Sequence, residues 1–249
     1  MMKKYFYLVV ICFSFISAKS QLYHDIGFIV GNTFFASDYG EAGNFKNFYA
    51  NNGISVGAVY YVSLESDLKR SWRDYFKVRA ELMFMHSKLQ HYGTWVDESR
   101  SSVFANQLRA MRGATSVGNL GFQLEFYPLK TDDNHRGYKF TPYGSIGLQL
   151  NAFASKSTST LGPLGNTATT PFKYLDGARS ESGFTTSFSV GAGTRYRLGD
   201  YHSLVFDARL LRYNSDWVDG MNPDRTIYTE NKANDYSLTL SVGYVYLIN

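Results

Sequence analysis

Apolar and polar residues alternate strictly along three stretches of the chain. In residues 53–64, Ile54, Val56, Ala58, Tyr60, Val62 and Leu64 alternate with Ser55, Gly57, Val59, Tyr61 and Ser63. In residues 76–84, Phe76, Val78, Ala80, Leu82 and Phe84 alternate with Lys77, Arg79, Glu81 and Met83. In residues 118–127, Leu120, Phe122, Leu124 and Phe126 alternate with Asn119, Gly121, Gln123 and Glu125. Successive side chains of a strand point to opposite faces, so each stretch predicts a strand with one apolar and one polar or small face. Five further segments, near residues 23–35, 139–152, 183–198, 204–213 and 233–249, repeat the pattern less cleanly. That makes about eight strands, with a short helix over residues 101–112 inside a connection.

Long connections follow the first, third, fifth and seventh strands, and shorter ones follow the even strands. An up-and-down barrel with long extracellular loops and short periplasmic turns has this asymmetry. The expected fold is therefore an all-β, eight-stranded antiparallel up-and-down transmembrane barrel. Its polar face carries Lys77, Arg79, Glu81, Glu125, Arg195, Arg197, Asp207 and Arg209 in mid-strand, beside much Gly, Ser and Thr. A soluble barrel would turn that face outward around an apolar cavity. The aromatics argue for the inverse. Tyr60, Phe76, Phe126, Phe140, Tyr196, Phe206, Tyr244 and Tyr246 all fall at the periplasmic ends of their strands, as an interfacial girdle would. Paired charges then fill the lumen, since eight strands leave little room for a conducting pore.

Composition narrows the class further. Aromatics reach 17% of the 249 residues, which suits strands. Beyond the N-terminus no stretch approaches the ~18 apolar residues of a membrane helix. Residues 1–20 read as a signal peptide: Lys3 and Lys4, an apolar core from Tyr5 to Ile16, then Ala18 and Ser20 before Gln21. The lone cysteine, Cys12, lies in that core and lacks the small residues a lipoprotein site would place before it. The barrel domain is then 21–249, or 229 residues once 20 of the 249 are removed. Three of the 25 bases (Lys3, Lys4 and Lys19) leave with the signal, so 22 face 21 acids and the net charge falls from +4 to +1. A near-neutral chain gives no reason to expect nucleic acid as a partner. The C-terminal run from Ser241 to Ile248, with spaced apolar residues after Ser241 and Gly243, is similar to an outer-membrane assembly signal, though it ends in Asn249. The expected location is the bacterial outer membrane, reached through the Sec route, with lipid or lipopolysaccharide as surroundings.

Candidate chemistry is sparse. His86 and Ser87 are adjacent and so point to opposite faces, which disfavours a nucleophile–base pair, and His91 is the other candidate base. No metal or cofactor is expected. Calcium on Asp216, Asp219 and Asp224 is a weak alternative. Gly191-Ala192-Gly193 lies in a strand and is a packing feature, not a nucleotide loop. The segment 215–223, with Trp217 among turn formers, is either a compact surface loop or a contact site. The turn 65–75 sets Trp72 among Lys69, Arg70 and Arg73. It is either a headgroup-level anchor with solvated charges or the centre of a partner interface.

The opening His24-Asp25-Ile26-Gly27-Phe28-Ile29-Val30-Gly31, followed by Ser37-Asp38-Tyr39-Gly40, resembles a family of small outer-membrane barrels of Bacteroidetes-type bacteria. So do the 215–223 loop and Asn231-Lys232-Ala233-Asn234-Asp235. The family is similar to PorG of the type IX secretion system. That resemblance implies a non-enzymatic anchor that docks a periplasmic ring of PorK/PorN or GldK/GldN type. The alternatives are a barrel enzyme acting on lipid, similar to lipid A deacylases with His86 or His91 as base, a barrel of purely structural role in the envelope, and a small ligand carrier.

Overall fold

The computed structural model describes residues 22–40, 45–64, 72–129, 139–229 and 234–248. Residues 1–20, expected above to be a signal peptide, lie outside these. The eight strands are β1 (Leu22–Ala36), β2 (Asn52–Leu64), β3 (Phe76–Gln90), β4 (Met111–Phe126), β5 (Phe140–Ser159), β6 (Glu181–Arg197), β7 (His202–Tyr213) and β8 (Tyr236–Ile248). Each pairs antiparallel with the next, and β8 closes onto β1. Closure removes the free edges that an open sheet would expose. Two short helices lie in the loops, α1 (Phe45–Ala50) and α2 (Val103–Ala110). Ser102 caps α2 by accepting from the Ala105 N–H, and the helix falls inside the span expected at 101–112.

The faces point as the alternation requires. Phe28, Ile54, Leu82, Phe122, Leu148 and Leu240 stand outward and exposed, whereas Arg79, Glu125, Gln149 and Thr239 are buried inside. Each large apolar side chain left in water forfeits about 1.5–3 kcal/mol. A belt of them on every strand is therefore built for lipid, and the chain is a membrane-spanning barrel of outer-membrane type. No described helix is long and apolar enough to cross a membrane; a closed barrel satisfies its backbone groups between strands and can cross one. Around one end run the expected aromatics, with Phe76 against Phe126 at 5.3 Å and Phe140 against Tyr196 at 4.6 Å. His24 and His202 join this girdle through the hydroxyls of Tyr60 and Tyr244, at 2.6 and 2.5 Å.

Three strands run further than the alternation predicts. β3, β4 and β5 have 15, 16 and 20 residues, against about 9–11 for a membrane crossing. Above the belt the pattern inverts. Met85, Leu89, Met111, Val117 and Phe153 turn inward and are buried, while Lys88, Arg112 and Lys156 turn outward and are exposed. Here the wall meets headgroups and water, so the apolar face belongs inside. The lipid-facing signal fades although the pairing continues from Leu89↔Gly113 to Met111↔Ser159.

Candidate functional site

The lumen is filled by interlocked charges. Arg195 Nη1 lies 2.5 Å from Asp25 Oδ2, and Lys77 Nζ reaches the same oxygen at 3.7 Å. Arg79 pairs with Glu81 at 2.8 Å, and with Glu125 and Asp207 at 3.5 Å each. Arg209 pairs with Glu81 and with Asp207, the latter at 2.5 Å. Tyr127 donates to Glu125 at 2.6 Å, Tyr143 to Asp207 at 2.8 Å, and Gln149 to Glu81 at 3.0 Å. Tyr61 lies between two guanidiniums, 5.6 Å from Arg79 and 4.6 Å from Arg195. Among the described residues four cations thus meet four carboxylates, and their formal charges balance. Buried charges persist only when matched and hydrogen-bonded in this way.

Seven of the eight expected lumen charges belong to this cluster. The eighth, Arg197, lies on the same inward face two residues beyond Arg195 but is only half-buried, at the periplasmic lip. The sequence reading missed Asp25, which is 2% exposed and matches both Lys77 and Arg195. A signal was present, since Asp25 alternates with Ile26 in the first strand. Above the charges sits a layer of short polar groups: Asn119 on Asn151, Asn151 on Ser187 at 3.0 Å, and Thr33 on Thr239 at 3.1 Å.

The mouth is closed by the loop 215–223, which folds into the barrel instead of lying on the surface. Inward hydroxyls of β4 and β5 hold its backbone. Thr115 donates to the Val218 carbonyl at 2.5 Å, Ser155 to Trp217 at 3.1 Å and Ser157 to Gly220 at 3.1 Å. Asp219 accepts from the backbone N–H of Asp38 at 2.8 Å and of Met221 at 2.7 Å, and its own N–H donates to Asp235 at 3.1 Å. Burial, with Asp38 and Asp216 nearby, pushes the Asp219 carboxyl well above the usual range, and burial beside Asp219 does the same to Asp235. Asp216 instead pairs with Arg225 at 2.8 Å, and Asp224 caps an exposed turn at Thr226. The three aspartates do not converge on one point, and among the described residues no group of three such ligands is placed to hold a metal. Trp217 is half-buried beneath the Arg179 guanidinium, 4.1 Å from its ring.

The histidines are dispersed. His91 is buried in the mouth between Tyr39 and Tyr174, and its Nδ1 accepts from the Gly40 N–H at 2.8 Å. Burial holds its pKa down at about 3, with Lys173 and Arg112 adding to the effect. It does not face lipid. His86 does, and Ser87 points into the lumen, as adjacency requires. The cross-strand neighbour of His86 is Ser116, whose Oγ lies 2.9 Å from His86 Nδ1 on the outer wall. Sequence spacing could not reveal this pair, because it depends on the β3–β4 register.

At the opposite end Lys69 and Arg70 lie outside the described residues. Trp72 opens a 3₁₀ turn, Trp72–Tyr75, where it is 69% exposed and edge-on to Phe76 at 6.0 Å. Arg73, next in the turn, is half-buried.

No family model and no curated protein matches the sequence. Solved structures do share the barrel. Ail, the attachment invasion locus protein of Yersinia pestis, determined with the heparin analogue sucrose octasulfate, is 13% identical. The match covers 91% of this chain and 99% of Ail, with a TM-score of 0.44. Neisserial surface protein A is 12% identical over 90% of this chain and 96% of its own, with a TM-score of 0.47. A major outer membrane protein from Thermus thermophilus is 14% identical over 90% and 99%, with a TM-score of 0.49. Likeness at this level extends to the barrel and no further, so chemistry has to be read from this chain's own residues.

Proposed function

We propose that this protein is a sealed outer-membrane barrel that serves a type IX secretion machine as a structural component, anchoring a periplasmic ring of PorK/PorN or GldK/GldN type. The filled lumen carries the reading. Four cations and four carboxylates interlocked inside the barrel occupy the space a transport path would need, so the barrel offers its ends and its wall. The periplasmic end offers Trp72, an exposed aromatic beside Arg73 and close in sequence to Lys69 and Arg70. A deletion strain and affinity purification from native membranes test the reading together. Loss of secreted cargo, unchanged lipid A and co-purification of a ring component are expected. Normal secretion with no ring component recovered would overturn it.

A second reading, a barrel enzyme acting on lipid, is favoured by the His86–Ser116 contact on the lipid-facing wall. A serine with a histidine in hydrogen-bond reach is the start of an acyl-transfer site. It ranks second because the outward positions of the eight strands carry no Asp or Glu to orient the imidazole. If Ser116→Ala leaves the acyl composition of the outer membrane unchanged, this reading fails.

A further inference from the structure

We infer that the outer wall of β3–β6, at the extracellular edge of the apolar belt, binds a phosphate-bearing acylated lipid. The register builds the site row by row. In the lowest row Phe84, Gly118, Ala152 and Phe184 are consecutive cross-strand neighbours. Phe84 and Phe184 are 53% and 90% exposed, and a Cβ built on Gly118 would meet nothing closer than the Ala152 carbonyl at 3.9 Å. Two aromatic walls, about 14 Å apart at three strand spacings, thus flank a floor of glycine and alanine. Acyl chains would lie on that floor, continuous with the bilayer.

The next row up is His86, Ser116, Ala154 and Ser182, with His86 and Ser116 hydrogen-bonded at 2.9 Å. That places donors and acceptors at the level of a lipid's ester or amide linkages. Above it Lys88, Ala114 and Lys156 form one row, the small alanine leaving a gap between two exposed lysines. Arg112 stands one outward position higher on β4, between Gln90 and Thr158. Apolar floor, neutral polar row and cations follow the order of groups along a phosphorylated lipid.

The charge distribution fits one occupant. No outward position of the eight strands is an Asp or Glu, and the four outward Lys and Arg are Lys88, Arg112, Lys156 and Arg212. All four lie at the extracellular end, and three crowd onto adjacent strands. Arg212 sits on β7, 5.9 Å from the ring of Tyr236. The nearest strand carboxylate, Glu181 at the start of β6, points inward and is paired with Arg179 at 2.8 Å, so the outward cations suit lipid phosphates, each worth about fivefold in affinity. The inference uses only the wall and is independent of the anchoring role.

The test uses the full barrel in nanodiscs of phosphatidylcholine, with bis-phosphorylated lipid A as the probe and phosphate-free lipid A as its control. The triple variant Lys88→Gln, Arg112→Gln, Lys156→Gln should bind the phosphorylated probe about a hundredfold more weakly, while Arg212→Gln binds as the parent does. Gly118→Leu, which fills the floor without touching a charge, should also lose the lipid. Heat-modifiable gel mobility establishes that each variant is folded, and the single Lys156→Gln, expected to bind about fivefold more weakly, serves if the triple variant is not. Equal affinity for the phosphate-free lipid, or unchanged binding in the folded cation variants, would overturn the proposal. So would acyl-free glucosamine phosphate binding as tightly as the lipid, which would make the cations a site for soluble anions.

Discussion

Arg195 on β6 and Asp25 on β1 meet inside the barrel at 2.5 Å, although 170 residues separate them in sequence. Asp25 also forms an ion pair with Lys77 from β3 at 3.7 Å. One carboxylate thereby ties the first strand to two others across the lumen. Removing it takes from the buried Arg195 the carboxylate it is paired with, at a cost of about 3–5 kcal/mol. Asp25→Asn should lower the denaturant midpoint of barrel unfolding accordingly. Adding Arg195→Gln should recover part of the loss, because the buried cation that lost its carboxylate is then gone.

The same cluster makes a prediction about conduction. In planar bilayers the native barrel should give no stepwise current. Arg79→Ala with Arg209→Ala removes the two guanidiniums that bridge Glu81 and Asp207 and should open a measurable conductance. An unchanged trace in the folded variant would mean that something other than these side chains blocks the lumen.

The loop in the mouth should respond to pH with two opposed slopes. Asp219 and Asp235 have folded pKa values raised by burial, so their contribution is full below the ordinary aspartate pKa and is lost as pH rises through the folded values. His91 is held down at about 3; its contribution is present above the ordinary histidine pKa and fades as pH falls below it. The hydrogen-exchange protection factors of residues 215–223, relative to the intrinsic rate at each pH from about 4 to about 8, should fall toward both ends. Asp219→Asn should flatten the alkaline limb. His91→Asn, which keeps an acceptor for the Gly40 N–H, should flatten the acid limb.

Gly220 tests the fit of that loop by shape alone. Its φ is +83°, and an added Cβ would meet Ser157 Oγ at 2.6 Å and the Arg179 carbonyl at 3.0 Å. Both the backbone conformation and the space demand glycine. Gly220→Ala should cost about 1–3 kcal/mol and hasten proteolysis within 215–223, with the barrel itself still heat-modifiable.

At the periplasmic end Trp72→Ala with Arg73→Glu should leave folding intact and abolish co-purification of a ring component. Trp72 stands outward at the belt's edge, so the bilayer can spare it. If the double variant retains every periplasmic partner, the turn is a connector alone.

Within the apolar belt the sequence was sufficient. A strand facing lipid on one side and a narrow lumen on the other needs period two, and Phe76 to Phe84 or Leu120 to Phe126 can satisfy that solvent arrangement in only one way. The barrel, the direction of its faces, the aromatic girdle and most of the lumen charges follow from this local rule. Tertiary structure decided whatever depends on register between strands or on a change of surroundings. The inverted upper tiers of β3, β4 and β5 look irregular in sequence, because the strand leaves lipid while its pairing goes on. The loop 215–223 reads as surface from its turn formers, yet the hydroxyls of Thr115, Ser155 and Ser157 pull it into the mouth. Asp25 found its cations, His86 its serine, and Lys88 and Lys156 their shared row only when closure brought distant strands side by side. Periodicity states which way a side chain points, and register alone states what it meets there.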